Sequence, residues 1–250
     1  MQSIRACWRL LRVFTHVLAG YWRIRFVFPR LQQAERDAQV QAWARDMLAR
    51  LAIKLVVHGH PPAYGPVLLV ANHISWLDIV VMHAGRHCRF VSKASVQHWP
   101  LIGTLANGAG TLYIERESRR DAMRVVHHMA ERLAADDVLA VFPEGTTGDG
   151  STVRPFHANM LQAAIAANAP VMPVGLEFVD GATGQRSFAP CYIGDDSLLD
   201  SLWRTLKTDH LQAVVRFGTA QLPEGRDRRT WAADLHLSLI HISEPTRLGM

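Results

Sequence analysis

Residues 67–78 have the sequence Val67-Leu-Leu-Val-Ala-Asn-His-Ile-Ser-Trp-Leu-Asp78. The first five residues are apolar, which is typical of a buried strand, and polar residues follow at once. Side chains at a turn between a strand and a helix are held on a rigid scaffold and can face a cleft. The stretch therefore predicts a strand, a turn and a helix, with functional groups at the turn.

The same alternation of strand and helix recurs along the chain. Short apolar, β-branched runs predict strands at 53–57, 67–71, 89–92, 111–114, 138–142, 171–178 and 213–217. Apolar residues at helical spacing predict helices at 119–135, 156–168 and 197–208, and the composition of 31–51 is typical of a polar helix. Alternating strands and helices predict an α/β fold, with a mixed, partly parallel sheet flanked by helices.

His73 and Asp78 are the candidate catalytic residues. On one continuous helix their side chains would point about 140° apart, so they can meet only if His73 lies in the turn and Asp78 in the first helical turn. Ser75 suits the N-cap of that helix. An imidazole held by a carboxylate is a competent general base for a hydroxyl. The alternative is that Ser75 and Asp78 form a capping pair and His73 is an ordinary turn residue.

Arg116 follows the predicted strand at 111–114 directly, at its exposed end. A guanidinium there suits a phosphate, because its planar fork can donate paired, charge-assisted hydrogen bonds. Taken alone, such an arginine could equally be an ordinary surface residue.

The strand at 138–142 runs into the turn Pro-Glu144-Gly145-Thr146-Thr147. Glycine lets the backbone approach a ligand closely, and the threonine hydroxyls can donate hydrogen bonds. The alternative is a simple strand-terminating turn, although such turns prefer Asp or Asn to Glu. The candidate substrate-binding residues are thus Arg116, Glu144, Gly145 and Thr146.

In order and spacing these stretches resemble four sequence blocks of the glycerolipid acyltransferases of the 1-acylglycerol-3-phosphate acyltransferase type. The matching residues are Asn72–Asp78, Tyr113–Arg116, Phe142–Thr146 and Val171–Val174, and the resemblance covers roughly residues 52–220. It implies that His73 deprotonates the acceptor hydroxyl and that Asp78 orients His73. It also implies that Arg116 and the Glu144-Gly145 turn organise the phosphate of a membrane lipid acceptor.

The resemblance further implies transfer of a fatty-acyl group from acyl-CoA or acyl carrier protein to 1-acyl-sn-glycerol-3-phosphate, giving phosphatidic acid, with no separate cofactor. Many members have arginine after the Glu-Gly-Thr of the third block, whereas this chain has Thr147. The missing charge leaves lyso-ornithine lipid open as the acceptor. An acyl-thioester hydrolase and a non-catalytic membrane-binding module are the remaining alternatives. An acyl-enzyme on Ser75 is disfavoured, because no Gly-x-Ser-x-Gly elbow surrounds it.

The formal net charge is +5, and the excess lies in the first 30 residues, which hold six arginines and no acid. Outside them, 21 basic residues face 22 acidic ones, a balance that disfavours nucleic-acid binding. Arginine mixed with interfacial aromatics is typical of a helix lying on anionic lipid. The longest uncharged stretch, Val13–Trp22, is about half the roughly 20 residues needed to span a bilayer. The alternative is an amphipathic helix packed on its own domain.

These features predict a membrane-interfacial helical segment at 1–50 and an acyltransferase domain at 51–236. Residues 237–250 resemble the translated end of a sequencing-library adaptor and are expected to be non-native. The three cysteines, Cys7, Cys88 and Cys191, are far apart and in no metal-type spacing, which favours a reduced compartment and no metal site. The expected location is the cytoplasmic face of the inner membrane.

Overall fold

The computed structural model describes residues 2–114 and 119–243, except for the side chains of residues 119–122. Within these residues, seven strands form one sheet. Every neighbouring pair is parallel except β6 and β7, which are antiparallel, in the order β1-β7-β6-β2-β5-β3-β4. The predicted mixed, partly parallel sheet is confirmed. The strands are β1 (Lys54–His58), β2 (Val67–Ala71), β3 (Arg89–Lys93), β4 (Leu112–Ile114), β5 (Val138–Val141), β6 (Val171–Asp180) and β7 (Leu211–Phe217).

Strand β2 lies at the centre of the sheet, and all five of its residues are buried. Alternate side chains point to opposite faces of a strand. Leu69 therefore packs into the core on one face of the sheet and Leu68 into the core on the other. Strands buried on both faces are continuous apolar runs, which is why the bounds of β2 could be predicted.

The helices cover both faces of the sheet, and two of them precede β1. They are α1 (Gln2–Phe26), α2 (Gln33–Arg50), α3 (Leu77–Gly85), α4 (Ile102–Gly108), α5 (Arg119–Ala134), α6 (Leu161–Ala166), α7 (Leu198–Lys207) and α8 (Arg228–Ser243), with short 3-10 turns at Phe28–Arg30, Ala94–His98 and Ala158–Met160. The predicted helix at 156–168 is shorter than expected. Its first residues are held by the hydrogen bond from His157 N to Pro143 O (2.8 Å), which keeps His157 extended.

Helix α1 is one continuous helix that packs on α2, α4 and α7. Its inner face is fixed by hydrogen bonds from Arg9 to the carbonyl groups of Leu206 and Thr208, and by stacking of His16 on Trp43. Its outer face exposes large apolar side chains at helical spacing, namely Trp8, Leu11, Phe14, Trp22 and Phe26. Among the described helices, none is both long enough and apolar enough to cross a membrane.

Helix α8 continues through residue 237 to Ser243, with Leu235 and Leu239 fully buried. The first residues of the predicted non-native tail therefore continue a helix that packs on the sheet. Residues 244–250 lie outside the described residues, and the origin of the tail stays a prediction.

Candidate active site

The candidate site lies at the carboxyl edge of the sheet, where β2 and β5 end side by side. These strands are parallel and in register from Val67↔Val138 to Val70↔Val141. The turn after β2 carries His73, and the turn after β5 carries Glu144 and Gly145. Because both strands end at the same edge, residues about 70 positions apart in the chain are brought into contact.

His73 and Asp78 meet as predicted, with Nδ1 of His73 2.8 Å from Oδ2 of Asp78. The same carboxylate oxygen accepts the backbone N–H groups of Ile74 (2.6 Å) and Ser75 (2.9 Å). Asp78 is fully buried, and its other oxygen has no hydrogen-bond partner among the described residues. The buried carboxyl group is thus held against the imidazole by the turn itself.

The geometry also fixes the tautomer of His73. Oδ2 of Asp78 already accepts two backbone N–H groups and so acts as an acceptor here too, which makes Nδ1 of His73 the donor. In this tautomer Nε2 keeps its lone pair. The ring stacks on Phe142 with the centroids 3.9 Å apart and the planes 7° apart. The side chain is 19% exposed, and Nε2 has no partner in the part of the chain that the structure describes. Nε2 is therefore placed to accept a proton from a ligand.

Ser75 differs from its predicted role. The N-cap of α3 is Trp76, one residue later, and the Ser75 hydroxyl donates to Pro190 O. The same hydroxyl accepts from Leu77 N at 3.2 Å, so it still satisfies one amide at the helix start. Ser75 is fully buried, and its hydroxyl makes no hydrogen bond to His73 among the described residues.

Glu144 braces the turn that carries the base. Its Oε1 accepts the backbone N–H of His73 (2.8 Å), and its Oε2 accepts that of Arg154 (2.9 Å). The residue is buried, which raises the pKa of its carboxyl, although both amide bonds oppose that shift. Gly148 N completes the frame by donating to His73 O at 2.8 Å. Because both Glu144 oxygens are occupied, any contribution of this turn to phosphate binding would come from its other groups.

Gly145 has a φ of +73°, a conformation that glycine adopts without strain. A Cβ at this position would also lie 3.0 Å from Cδ2 of His157. The side chain of Thr146 is exposed, whereas the hydroxyl of Thr147 donates to Tyr192 O. The binding roles of Gly145 and Thr146 stay predictions.

Arg116 lies outside the described residues. Strand β4, which precedes it, ends at Ile114 on the same edge of the sheet as β2 and β5. The predicted role of Arg116 in phosphate binding is therefore not tested.

Asn72 contributes a contact that the sequence did not predict. Its side chain donates to Leu176 O (2.9 Å) and accepts from Leu176 N (2.7 Å), which ties the turn after β2 to β6. An amide can make both bonds at once, so Asn72 acts as a substitute for strand pairing where β2 ends. Within the described residues, no group of three or more His, Cys, Asp or Glu residues is placed to hold a metal ion.

Comparison with known proteins identifies a matching family model and relatives that are similar in sequence over most of the chain. A family model described as Acyltransferase matches residues 54–177. The lyso-ornithine lipid O-acyltransferase of Pseudomonas aeruginosa is 36% identical over 217 residues, which cover 85% of this chain and 82% of that protein. The 1-acyl-sn-glycerol-3-phosphate acyltransferase of Neisseria gonorrhoeae is 38% identical over 196 residues, 77% of this chain and 76% of that protein.

The fold is similar to a solved structure. The crystal structure of the 1-acyl-sn-glycerophosphate acyltransferase PlsC from Thermotoga maritima superposes with a TM-score of 0.65, covering 97% of this chain and 99% of that one. At 18% sequence identity this likeness shows a shared fold.

Proposed function

This chain belongs to the acyltransferase family, and on that premise we propose that it acylates the free hydroxyl of a lyso-lipid. The first acceptor we propose is 1-acyl-sn-glycerol-3-phosphate, giving phosphatidic acid. The acyl donor is a thioester, acyl-CoA or acyl carrier protein. The observation that carries the proposal is the His73–Asp78 contact at the sheet edge, which engages Nδ1 and leaves Nε2 without a partner among the described residues.

The reaction needs one base, and His73 supplies it. Nε2 takes the proton of the acceptor hydroxyl while the hydroxyl oxygen attacks the thioester carbonyl. The tetrahedral intermediate then collapses, the C–S bond breaks, and the imidazolium returns the proton to the leaving thiolate. Asp78 stabilises the imidazolium between these two steps, because its buried carboxylate contacts Nδ1 directly.

Direct transfer is favoured over an acyl-enzyme. The Ser75 hydroxyl, a candidate nucleophile by its position, is committed to Pro190 O and is fully buried. A nucleophile would instead need its hydroxyl within hydrogen-bond reach of the base. An acyl-thioester hydrolase would use the same pair with water as the acceptor, so product identity distinguishes the two reactions.

Lyso-ornithine lipid is the second candidate acceptor, and Thr147 favours it. Relatives of this family often have arginine there, whereas the Thr147 hydroxyl donates to a backbone carbonyl group. The two sequence relatives named above are one protein of each acceptor type.

The proposed location is the cytoplasmic face of the inner membrane, reached through α1. Arg5 and Arg9 pair with Asp209 of the same chain, whereas Arg23 and Arg25 are exposed and available for anionic lipid. Aromatic side chains beside these arginines suit the interface between headgroups and acyl chains.

The experiment is product analysis with the purified full-length protein. Acyl-CoA and acyl carrier protein are each offered with 1-acyl-sn-glycerol-3-phosphate, lyso-ornithine lipid and no acceptor, and products are identified by mass spectrometry. An acylated lipid supports the proposal. Release of free fatty acid alone indicates a hydrolase, and the absence of any product indicates a non-catalytic module.

A further inference from the structure

Arg154 is held directly beside the proposed base by a shared partner. The buried carboxylate of Glu144 accepts the backbone N–H of His73 with one oxygen and that of Arg154 with the other. One short bridge therefore fixes the backbone positions of the base and of this arginine relative to each other. None of the four sequence blocks includes residue 154.

The side chain of Arg154 extends towards the turn that holds His73. Its Nε lies 3.8 Å from the position that a Cβ would take on Gly148, and the carbonyl oxygen of His73 lies 4.0 Å from the same point. Gly148 is the residue whose N–H donates to His73 O. Nε of Arg154 thus lies near Gly148, the residue that is hydrogen-bonded to the backbone of His73.

The guanidinium group of Arg154 has no direct side-chain partner within the described part of the chain, although the Glu144 carboxyl lies near enough to feel its charge. Its guanidinium makes no ion pair or hydrogen bond there, and the residue is exposed. Glu144 is occupied by backbone amides, and Asp149, on the same turn, accepts hydrogen bonds from Ser151. A planar cation that is free to make paired hydrogen bonds is the group that best recognises a phosphate or carboxylate.

We infer that Arg154 binds the anionic head group of the lipid acceptor and so helps to select it. This inference rests on the proposed function and deepens it. The shared chemistry is an oxyanion close to the reacting hydroxyl: the phosphate of 1-acyl-sn-glycerol-3-phosphate, or the carboxylate of lyso-ornithine lipid. Arg154 supplies a cation to the turn in which Thr147 replaces the arginine of many relatives.

The test compares Arg154→Gln and Arg154→Lys with Arg228→Gln, which removes an exposed arginine at the start of α8. Initial rates are measured with three acceptors: 1-acyl-sn-glycerol-3-phosphate, lyso-ornithine lipid and uncharged 1-acylglycerol. Arg154→Gln should raise the acceptor KM by about 10- to 100-fold for the charged acceptor that the enzyme uses, as expected for loss of a charged hydrogen bond. The kcat at saturating acceptor, the donor KM and the KM for 1-acylglycerol should change little. Arg154→Lys should be intermediate, and Arg228→Gln should match the wild type.

Three results would overturn the inference: an unchanged KM for both charged acceptors, an equal rise for 1-acylglycerol, or a rise confined to the acyl-thioester donor. The charged acceptor whose KM rises more identifies the source of the oxyanion. Binding of 1-acyl-sn-glycerol-3-phosphate and of lyso-ornithine lipid to His73→Ala protein, with and without Arg154→Gln, separates this inference from the proposed function. A Kd raised about 10-fold for either lipid by Arg154→Gln supports the inference even if no transfer is found. An unchanged Kd for both refutes it even if the enzyme is active.

Discussion

Nδ1 of His73 lies 2.8 Å from a carboxylate oxygen of Asp78, and that oxygen also accepts two backbone amides of the connecting turn. Asp78 therefore has two tasks, to shape the turn and to stabilise the imidazolium. The two tasks make different predictions, because an amide oxygen can still accept the backbone N–H groups but carries no charge.

Asp78→Asn is expected to lower kcat/KM on the order of 10²- to 10⁴-fold, because the imidazolium loses its counter-charge or the ring adopts the wrong tautomer. The free energy of unfolding, measured in urea, should fall by much less than the increase in activation free energy that corresponds to this loss of kcat/KM. If the variant is destabilised and yet turns over normally, Asp78 only caps the helix.

Glu144→Gln tests the brace under His73. A glutamine side chain has one acceptor oxygen, so one of the two backbone N–H groups loses its partner, at a cost of about 1–3 kcal/mol. We expect this loss in the free energy of unfolding, together with reduced kcat for every acceptor. The control is Glu131→Gln, which changes an exposed glutamate on α5. Unchanged stability would show that Glu144 does not brace the turn.

The membrane contact is tested on the outer face of α1. Deleting the whole helix would also remove buried residues such as Ala6 and Gly20, so point changes are better suited. Arg23→Gln with Arg25→Gln should weaken binding to vesicles containing phosphatidylglycerol by about 2 kcal/mol, roughly 30-fold, since each arginine contributes about 1 kcal/mol. Circular dichroism should be unchanged.

The control for this experiment is Arg228→Gln with Arg229→Gln, which removes the same charge from exposed positions on α8. Binding of the wild type should also decrease as salt is raised. If the α1 variant and the control sediment equally well with the vesicles, the membrane contact lies elsewhere on the molecule.

Variants at Arg116 and Thr147 test whether the enzyme prefers a phosphate-bearing acceptor. Arg116→Lys keeps the charge but loses the bidentate geometry, so it should raise the KM for 1-acyl-sn-glycerol-3-phosphate more than that for lyso-ornithine lipid. Thr147→Arg should shift the preference the other way. If neither variant changes the ratio of kcat/KM for the two acceptors, the assignment of a phosphate pocket to these positions is wrong.

The sheet and the catalytic pair could be predicted because local sequence determines them. The bounds of β2 follow from a continuous apolar run, and the His73–Asp78 contact follows from the only backbone path that lets those side chains meet. Helix α4 (Ile102–Gly108) was not predicted, because its sequence lacks helical periodicity and it packs against α1.

The contacts that join distant parts of the chain could not be predicted in the same way. Glu144 reaches His73 across 71 positions, and Asn72 reaches Leu176 across 104. Nothing local to these residues indicates their partners. Likewise, the composition of α1 predicted an interfacial helix, but not that Arg9 is bound to the end of α7.

The central claim is that His73 is the base, and the most direct measurement is the turnover of His73→Ala with the best acceptor, quantified as acylated lipid by mass spectrometry. Loss of a general base should lower kcat on the order of 10²- to 10⁴-fold with an unchanged circular dichroism spectrum. His60→Ala, which removes an exposed histidine from the loop after β1, should retain full activity. A folded His73→Ala variant that forms product at close to the wild-type rate would contradict the assignment.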